Sequence, residues 1–272
     1  GGRYLWYSGR PNSYYNNCYL LKGEEDTREE WAELIKRATS CLMTGGGIGI
    51  DYSIFRPKGK PLSRTGGISS GPLPLMNAIN EIGRSVMQGG SRRSAIYASL
   101  NWLHEDIPEF MYIKNWSESI KQMKEIDFNF PAPLDMTNIS INYDNKWKYN
   151  ANRETLHTFV ENCRQAMMTG EPGFSFNFDD RENETLRNAC TEITSEDDSD
   201  VCNLGSINLG NIKDLEEFRS IVCLSSKFLV CGTIRADLPY EKVYKIREKN
   251  RRLGLGLMGI HAWLLQRGYG YE

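Results

Sequence analysis

The sequence is poor in the features that would tie it to a membrane, an oxidising compartment or a structural metal. No apolar run reaches the roughly 18 residues a membrane span requires, and no signal peptide opens the chain. Neither sign of charge is in excess: 33 Lys and Arg face 35 Asp and Glu, a formal net charge of −2. That balance gives no bulk attraction to nucleic acid or to an anionic membrane. Histidine is scarce, with three residues (His104, His157, His261) far apart in sequence, and no CxxC pair occurs, so a structural zinc site has little support. Repeats and low-complexity tracts are missing too. The expectation is a cytoplasmic globular protein that binds neither membrane nor nucleic acid directly, and no metal ligands are assigned.

What is present, in 272 residues, is enough to bury a substantial core. Seven cysteines, an odd number in a long chain without a secretion signal, argue against a disulfide framework. Cys41, Cys163, Cys223 and Cys231 fall in apolar periodic stretches and read as core residues. Cys18, Cys190 and Cys202 stand in polar or loop-like contexts and call for another explanation. Helical periodicity marks DTREEWAELIKRATSCLM (26–43), with Asp26 or Thr27 able to cap it, LMNAINEIGRSVMQ (75–88) and ANRETLHTFVENCRQAMM (151–168). Further helices are expected over 215–232 and 239–266, the second broken by RRLGLGLMG. Strand signals follow the triple glycine of TGGGIGIDYS and recur in AIYASLNW, TNISINY and GFSFNFDD. GGGIGI lies after a helix and before a strand, the wrong order for a dinucleotide fingerprint, and it lacks the Lys-Ser/Thr of a P-loop. PKGKPLSRTGGISSGPLP (57–74) is a basic Gly/Pro/Ser-rich loop long enough to suggest function. Strands and helices alternate throughout, which argues for an α/β fold.

The stretch NACTEITSEDDSDVCNLGSINL (188–209) concentrates the chemistry. A loop presenting alternate residues would line up the amide of Asn188, the thiol of Cys190 and the carboxylate of Glu192. An amide orients a hydroxyl, a carboxylate serves as general base, and a thiol acts as nucleophile, redox partner or radical carrier. The competing reading is a surface loop with incidental cysteines and solvated acids at EDDSD (196–200). Spacing alone does not choose between them.

NACTEI followed by CNLGSINL resembles the finger-loop signature of class I and class II ribonucleotide reductases, Asn-x-Cys-x-Glu with a downstream Cys-x-Leu. Other segments match in the family's order: GGRYLWYSGRP…NNCYLL its first active-site cysteine, GGGIGIDYSIFRPKG its glycine turn and strand, GGSRRSAIY its specificity loop, and RRLGLGLMG a late catalytic-domain helix. The resemblance covers nearly the whole chain. It implies part of a ten-stranded α/β barrel with a central finger loop, incomplete here, so that residues 1–272 form one partial catalytic barrel domain of a longer protein. It implies that Cys190 carries the thiyl radical, that Cys18 and Cys202 are the reducing pair, that Glu192 is the base and that Asn188 binds the substrate sugar. Asp26 and Arg56 resemble effector-binding residues, and Gly89, Gly90, Ser91, Arg92 and Arg93 the substrate-specificity loop.

The partners so implied are a ribonucleoside di- or triphosphate substrate, dNTP or ATP effectors, a thioredoxin- or glutaredoxin-type reductant, the remaining part of the same enzyme and a homodimer mate. NACTE with its short gap to Cys202, and DTREEW, look more like the adenosylcobalamin-dependent members than like those fed by a radical from a separate metal-containing small subunit. The alternatives from other classes are a non-catalytic effector-binding module on the same fold and a zinc-binding scaffold.

Overall fold

The computed structural model describes residues 2–63, 66–86, 93–150 and 152–271. In chain order its helices are α1 (Gly2–Tyr7), α2 (Arg28–Met43), α3 (Leu73–Ser85), α4 (Ile107–Tyr112), α5 (Glu118–Ile126), α6 (Asn145–Tyr149), α7 (Arg153–Thr169), α8 (Leu215–Arg235), α9 (Glu241–Asn250) and α10 (Ile260–Leu265). The strands are β1 (Cys18–Lys22), β2 (Gly47–Asp51), β3 (Ile96–Asn101), β4 (Thr137–Tyr143), β5 (Gly173–Phe176), β6 (Leu186–Arg187), β7 (Thr194–Ser195), β8 (Asp200–Asn208) and β9 (Leu253–Met258). The chain divides into two compact units, Tyr19–Ser199 and Gly1–Cys18 with Asp200–Glu272.

In the larger unit the strands run in the order β5-β4-β3-β2-β1, and the pairings β2–β3, β3–β4 and β4–β5 are parallel. Parallel strands need crossover connections and bury both faces. The two faces differ in chemistry. One carries Ile48, Ile50, Ile96, Ala98, Leu100, Ile139, Ile141 and Tyr143, all buried. This face meets the helices: a Cβ on Gly83 of α3 would lie 2.3 Å from Ile96, and the Tyr143 hydroxyl donates to Asn162 of α7 at 2.9 Å. The other face alternates with it and carries Gly49 and Asp51 on β2, Tyr97 and Ser99 on β3, and Asn138, Ser140 and Asn142 on β4. Register aligns Asp51 with Ser99 and Ser99 with Ser140, so the polar residues form rungs across the sheet.

Helix α2 starts where its sequence says it should, but the cap is Thr27 alone, whose hydroxyl accepts from the Glu30 N–H at 3.1 Å. Asp26, named with Thr27 as a capping candidate, is engaged elsewhere.

In the smaller unit β8 and β9 pair in parallel, from Asn203↔Leu253 to Asn208↔Met258. RRLGLGLMG is a strand where a helix was expected: alternate glycines at 254 and 256 leave room for side chains of the partner strand, Leu204 lying 2.3 Å from where a Gly254 Cβ would be. Cys202 is not in a loop either; it is fully buried within the nine residues of β8. Asn203 beside it is fully buried and donates to the Tyr4 hydroxyl, to Leu229 O at 3.1 Å and to Thr233 Oγ1 at 3.1 Å, tying β8 to α1 and α8. Burial raises the Tyr4 phenol pKa, with the Asn203 hydrogen bond opposing the rise. Cys223 and Cys231 on α8 are exposed and Cys163 is half-buried; of the four cysteines read as core, Cys41 is the buried one.

The acidic run EDDSD is not a solvated turn. Asp198 is 4% exposed and accepts from Arg37 Nη1 at 2.5 Å and from the Lys22 N–H at 2.8 Å, within the larger unit. Arg37 is itself buried and pairs also with Glu30 at 2.5 Å. Within the smaller unit Asp200, fully buried, accepts from Arg252 Nε at 2.5 Å and Asn250 Nδ2 at 2.9 Å. Buried carboxylates persist only when paired and hydrogen-bonded in this way.

Candidate functional site: a cysteine hairpin on the polar face of the sheet

Residues 186–195 form a hairpin. Leu186 and Arg187 pair antiparallel with Ser195 and Thr194, and the six residues 188–193 make its tip. The tip is a turn, where the spacing suggests a loop presenting residues 188, 190 and 192 to one side. The Thr191 N–H donates to Asn188 O at 3.0 Å, and Thr191 takes φ +67°, in the left-handed region. The Asn188 side chain closes the turn from inside. Its Oδ1 accepts from the Ile193 N–H at 3.1 Å and its Nδ2 donates to Glu192 Oε2 at 2.8 Å. Asn188 is fully buried, whereas Cys190 and Glu192 are exposed. The amide and the carboxylate are therefore brought together on a tip that also carries the exposed Cys190, with the amide bracing the loop and orienting the carboxylate. That second duty of Asn188 was not legible from its spacing.

The hairpin lies on the polar face of the sheet. Gly49 of β2 makes this approach possible: a Cβ there would sit 1.8 Å from Arg187 O and 3.2 Å from Asn188 C. Asn138 of β4 donates to Ala189 O at 3.3 Å. Arg187, 7% exposed, supports the base of the hairpin. Its Nη1 donates to Glu184 O at 2.6 Å and Leu186 O at 3.1 Å, and its Nη2 to Phe176 O at 3.2 Å and Asn177 Oδ1 at 2.6 Å. Burial lowers the guanidinium pKa, and nearby Tyr97, Glu184 and Asp51 counter that effect. Neither Arg187 nor Asn138 was singled out from the sequence. The signal available was an arginine directly before the Asn-x-Cys-x-Glu motif.

Cys18 and Cys202 both belong to the smaller unit, and both are buried. The Asn17 N–H donates to Cys202 O at 2.9 Å, the Asn16 side chain donates to the same oxygen at 3.4 Å, and the Leu204 N–H donates to Asn17 Oδ1 at 3.1 Å. The residue before Cys18 is thus hydrogen-bonded to the backbone of Cys202.

A concave site lies at the start of α2. Asp26, Trp31, Phe55, Arg56, Leu62 and Ser69 are among the residues lining a cavity of about 540 Å³. Arg56 Nε donates to Asp26 Oδ2 at 2.5 Å, and its other nitrogens donate to Asp26 O at 3.2 Å and Pro61 O at 3.1 Å. The two residues implicated in effector binding are therefore partners across one cavity rim. Of the specificity loop, Gly89, Gly90, Ser91 and Arg92 lie outside the described residues; Arg93 places its guanidinium 3.9 Å above the Phe128 ring. Among the described residues no group of three or more His, Cys, Asp or Glu is arranged to hold a metal, and no helix is long and apolar enough to cross a membrane.

A parallel sheet packed on helices at one face and carrying a cysteine hairpin on its polar face defines a mixed α/β domain, an incomplete barrel. The chain belongs to the ribonucleotide reductase barrel domain family, whose model matches residues 16–160 and 142–272. It is 28% identical over 284 residues to the vitamin B12-dependent ribonucleoside-diphosphate reductase of Thermoplasma acidophilum, covering 96% of this chain and 36% of that protein. The protein of the same description from Mycobacterium tuberculosis strain H37Rv is 26% identical, with 98% and 40% covered. The ribonucleoside-diphosphate reductase large subunit of Plasmodium falciparum (isolate FCR-3) is 25% identical, with 98% and 39% covered. The chain spans about two fifths of the length of these relatives.

Proposed function

We propose that the chain is the cysteine-bearing portion of a ribonucleotide reductase that converts ribonucleotides to 2′-deoxyribonucleotides. The observation that carries this reading is the hairpin tip, where the Asn188 amide holds the Glu192 carboxylate at 2.8 Å and Cys190, between them in the chain, is exposed. Cys190, as a thiyl radical, takes the hydrogen atom from C3′ of the ribose. Glu192 takes the proton of the 3′ hydroxyl, and Asn188 hydrogen-bonds the sugar. The 2′ hydroxyl then leaves as water. Cys18 and Cys202 supply two electrons and two protons, one proton leaving in the water and one reaching C2′, and end as a disulfide; Glu192 returns its proton to the 3′ oxygen, and Cys190 returns its hydrogen to C3′. The closeness of Asn17 to Cys202 supports this pairing.

Adenosylcobalamin, which supplies a radical able to abstract a thiol hydrogen, is the cofactor proposed here; an exposed thiol at a loop tip suits such a donor, and the B12-dependent description of two relatives favours it over a separate metal-containing subunit. The diphosphate substrates in the relatives' names make a ribonucleoside diphosphate the first substrate to try. The cavity at Asp26 and Arg56 is proposed as a deoxynucleotide effector site, since an arginine at its rim suits phosphate and a carboxylate suits a sugar hydroxyl. A thioredoxin-type dithiol would regenerate Cys18 and Cys202. The test is turnover of ribonucleoside diphosphates by the full-length protein, with and without adenosylcobalamin. Turnover that requires the cobalamin and disappears in Cys190→Ala is the expected result. Residual turnover in that variant removes Cys190 from the radical role.

A further inference from the structure

Three features of the hairpin base stand apart from the motif. First, Arg187 immediately precedes Asn188 in the chain, so any shift of its backbone moves the tip. Second, its guanidinium acts as a fork. One nitrogen is spent on carbonyls at and just before the hairpin's start, Leu186 O and Glu184 O, and the other on the end of β5 and the residue after it, Phe176 O and Asn177 Oδ1. Third, the receiving end is fixed. Asn177 is 1% exposed, and its N–H donates to Tyr143 O at 2.9 Å, so β4 anchors it. Its side-chain nitrogen is buried without a protein partner, so the amide is oriented to offer its oxygen to Arg187 at the expense of its own donor. A buried arginine whose two terminal nitrogens bond two separate segments is a clamp, and a lysine, with one nitrogen, cannot reproduce the fork.

We propose that Arg187 is a positioning residue: with Asn177 it pins the base of the cysteine hairpin to the ends of β4 and β5, and so determines where Cys190 and Glu192 are held. The consequence for turnover rests on the proposed reductase function; the consequence for loop order does not. Asn177→Ala removes the acceptor and keeps the arginine. Asn177→Asp keeps an oxygen acceptor of the same shape and adds a charge that suits the guanidinium.

The experiment uses the full-length protein and two readouts. In Asn177→Ala, the Thr191 and Ile193 amides, whose acceptors both belong to Asn188, exchange hydrogen at least about tenfold faster, while the β4 amides keep their protection. In the same variant kcat falls by about 10²-fold, the loss expected when reacting groups are misplaced by about 1 Å, with effector affinity unchanged. Asn177→Asp restores both readouts, and Arg187→Lys resembles Asn177→Ala. Unchanged exchange at residues 191 and 193 in Asn177→Ala overturns the clamp, as does failure of Asn177→Asp to restore protection, because packing alone would then explain the loss. Should Arg187→Lys fail to fold, the Asn177 pair decides the matter. If exchange responds as stated while the parent protein turns over no ribonucleotide, with or without adenosylcobalamin, the clamp stands and the reductase reading falls.

Discussion

Gly49→Ala adds one methyl group at the point where the sheet and the cysteine hairpin come closest. The new Cβ would lie 1.8 Å from Arg187 O, and real Cβ atoms essentially never approach other heavy atoms below 3.0 Å, so the chain must open by at least 1.2 Å (3.0 − 1.8). The obstructing atom is backbone on the hairpin, and Gly49 is itself held in β2 by pairing with β3, so no rotamer change relieves the clash. The displacement is transmitted to Asn188, whose hydrogen bonds to Ile193 and Glu192 set the tip. Overpacking of this kind costs about 1–3 kcal/mol. For a unit of this size that corresponds to a fall in Tm of about 2–4 °C per kcal/mol. The effect on turnover of the full-length protein should be larger, about 10²-fold for a 1 Å misplacement. Gly256→Ala is the control, because its Cβ would meet nothing closer than 3.6 Å. Thermal denaturation and steady-state turnover of both variants provide the assay. A Gly49→Ala protein with the parent's Tm and kcat would refute the close approach.

Two further outcomes follow from the buried charges. Asp198→Ala strands Arg37 with Glu30 as its remaining carboxylate, so the loss in urea denaturation should fall toward the lower end of the roughly 3–5 kcal/mol seen when a buried pair is broken; a loss below about 1 kcal/mol would show that the pair is solvated. Asp135 is buried, which by itself would raise its pKa, but hydrogen bonds from Arg84, Lys124 and Asn80 outweigh burial and hold it below the ordinary value of 3.8. A depressed carboxylate contributes stability that is complete above its unfolded pKa and is lost as pH falls through the folded one. Asp135→Asn should therefore be less stable than the parent at pH 7, and the gap should close below about pH 4 in denaturation midpoints measured across pH; a gap independent of pH would refute the assignment.

The α/β class, α2, α3 and α7, and strands β2 to β5 were legible in the sequence because each rests on local information: apolar period, glycine stops and turn residues. That Asn188, Cys190 and Glu192 share one loop was legible because three polar or reactive side-chain types stand two residues apart. Residues whose meaning depends on distant partners were not legible. EDDSD reads as a solvated turn until Arg37, 161 residues from Asp198, and Arg252, 52 residues from Asp200, arrive to neutralise it. RRLGLGLMG carries too little side-chain pattern to declare itself a strand, and parallel pairing with β8 decides the matter. DVCNLGSIN looks like loop because polar Asp200 and Asn203 stand among its buried residues; Asn203 is acceptable in the interior once Tyr4, Leu229 and Thr233 satisfy it.

By itself, then, the sequence determined which groups are available for chemistry and that α2, α3, α7 and β2 to β5 become helix or strand, since both are properties of residue type and short-range period. Tertiary structure alone decided that the tip is a turn braced by Asn188, that Gly49 gives the hairpin its seat, that Arg187 and Asn177 join it to the sheet, and that two acidic residues lie buried beyond it. Each of these depends on atoms brought within bonding or clash distance by segments far apart in the chain, and no local pattern encodes such a distance.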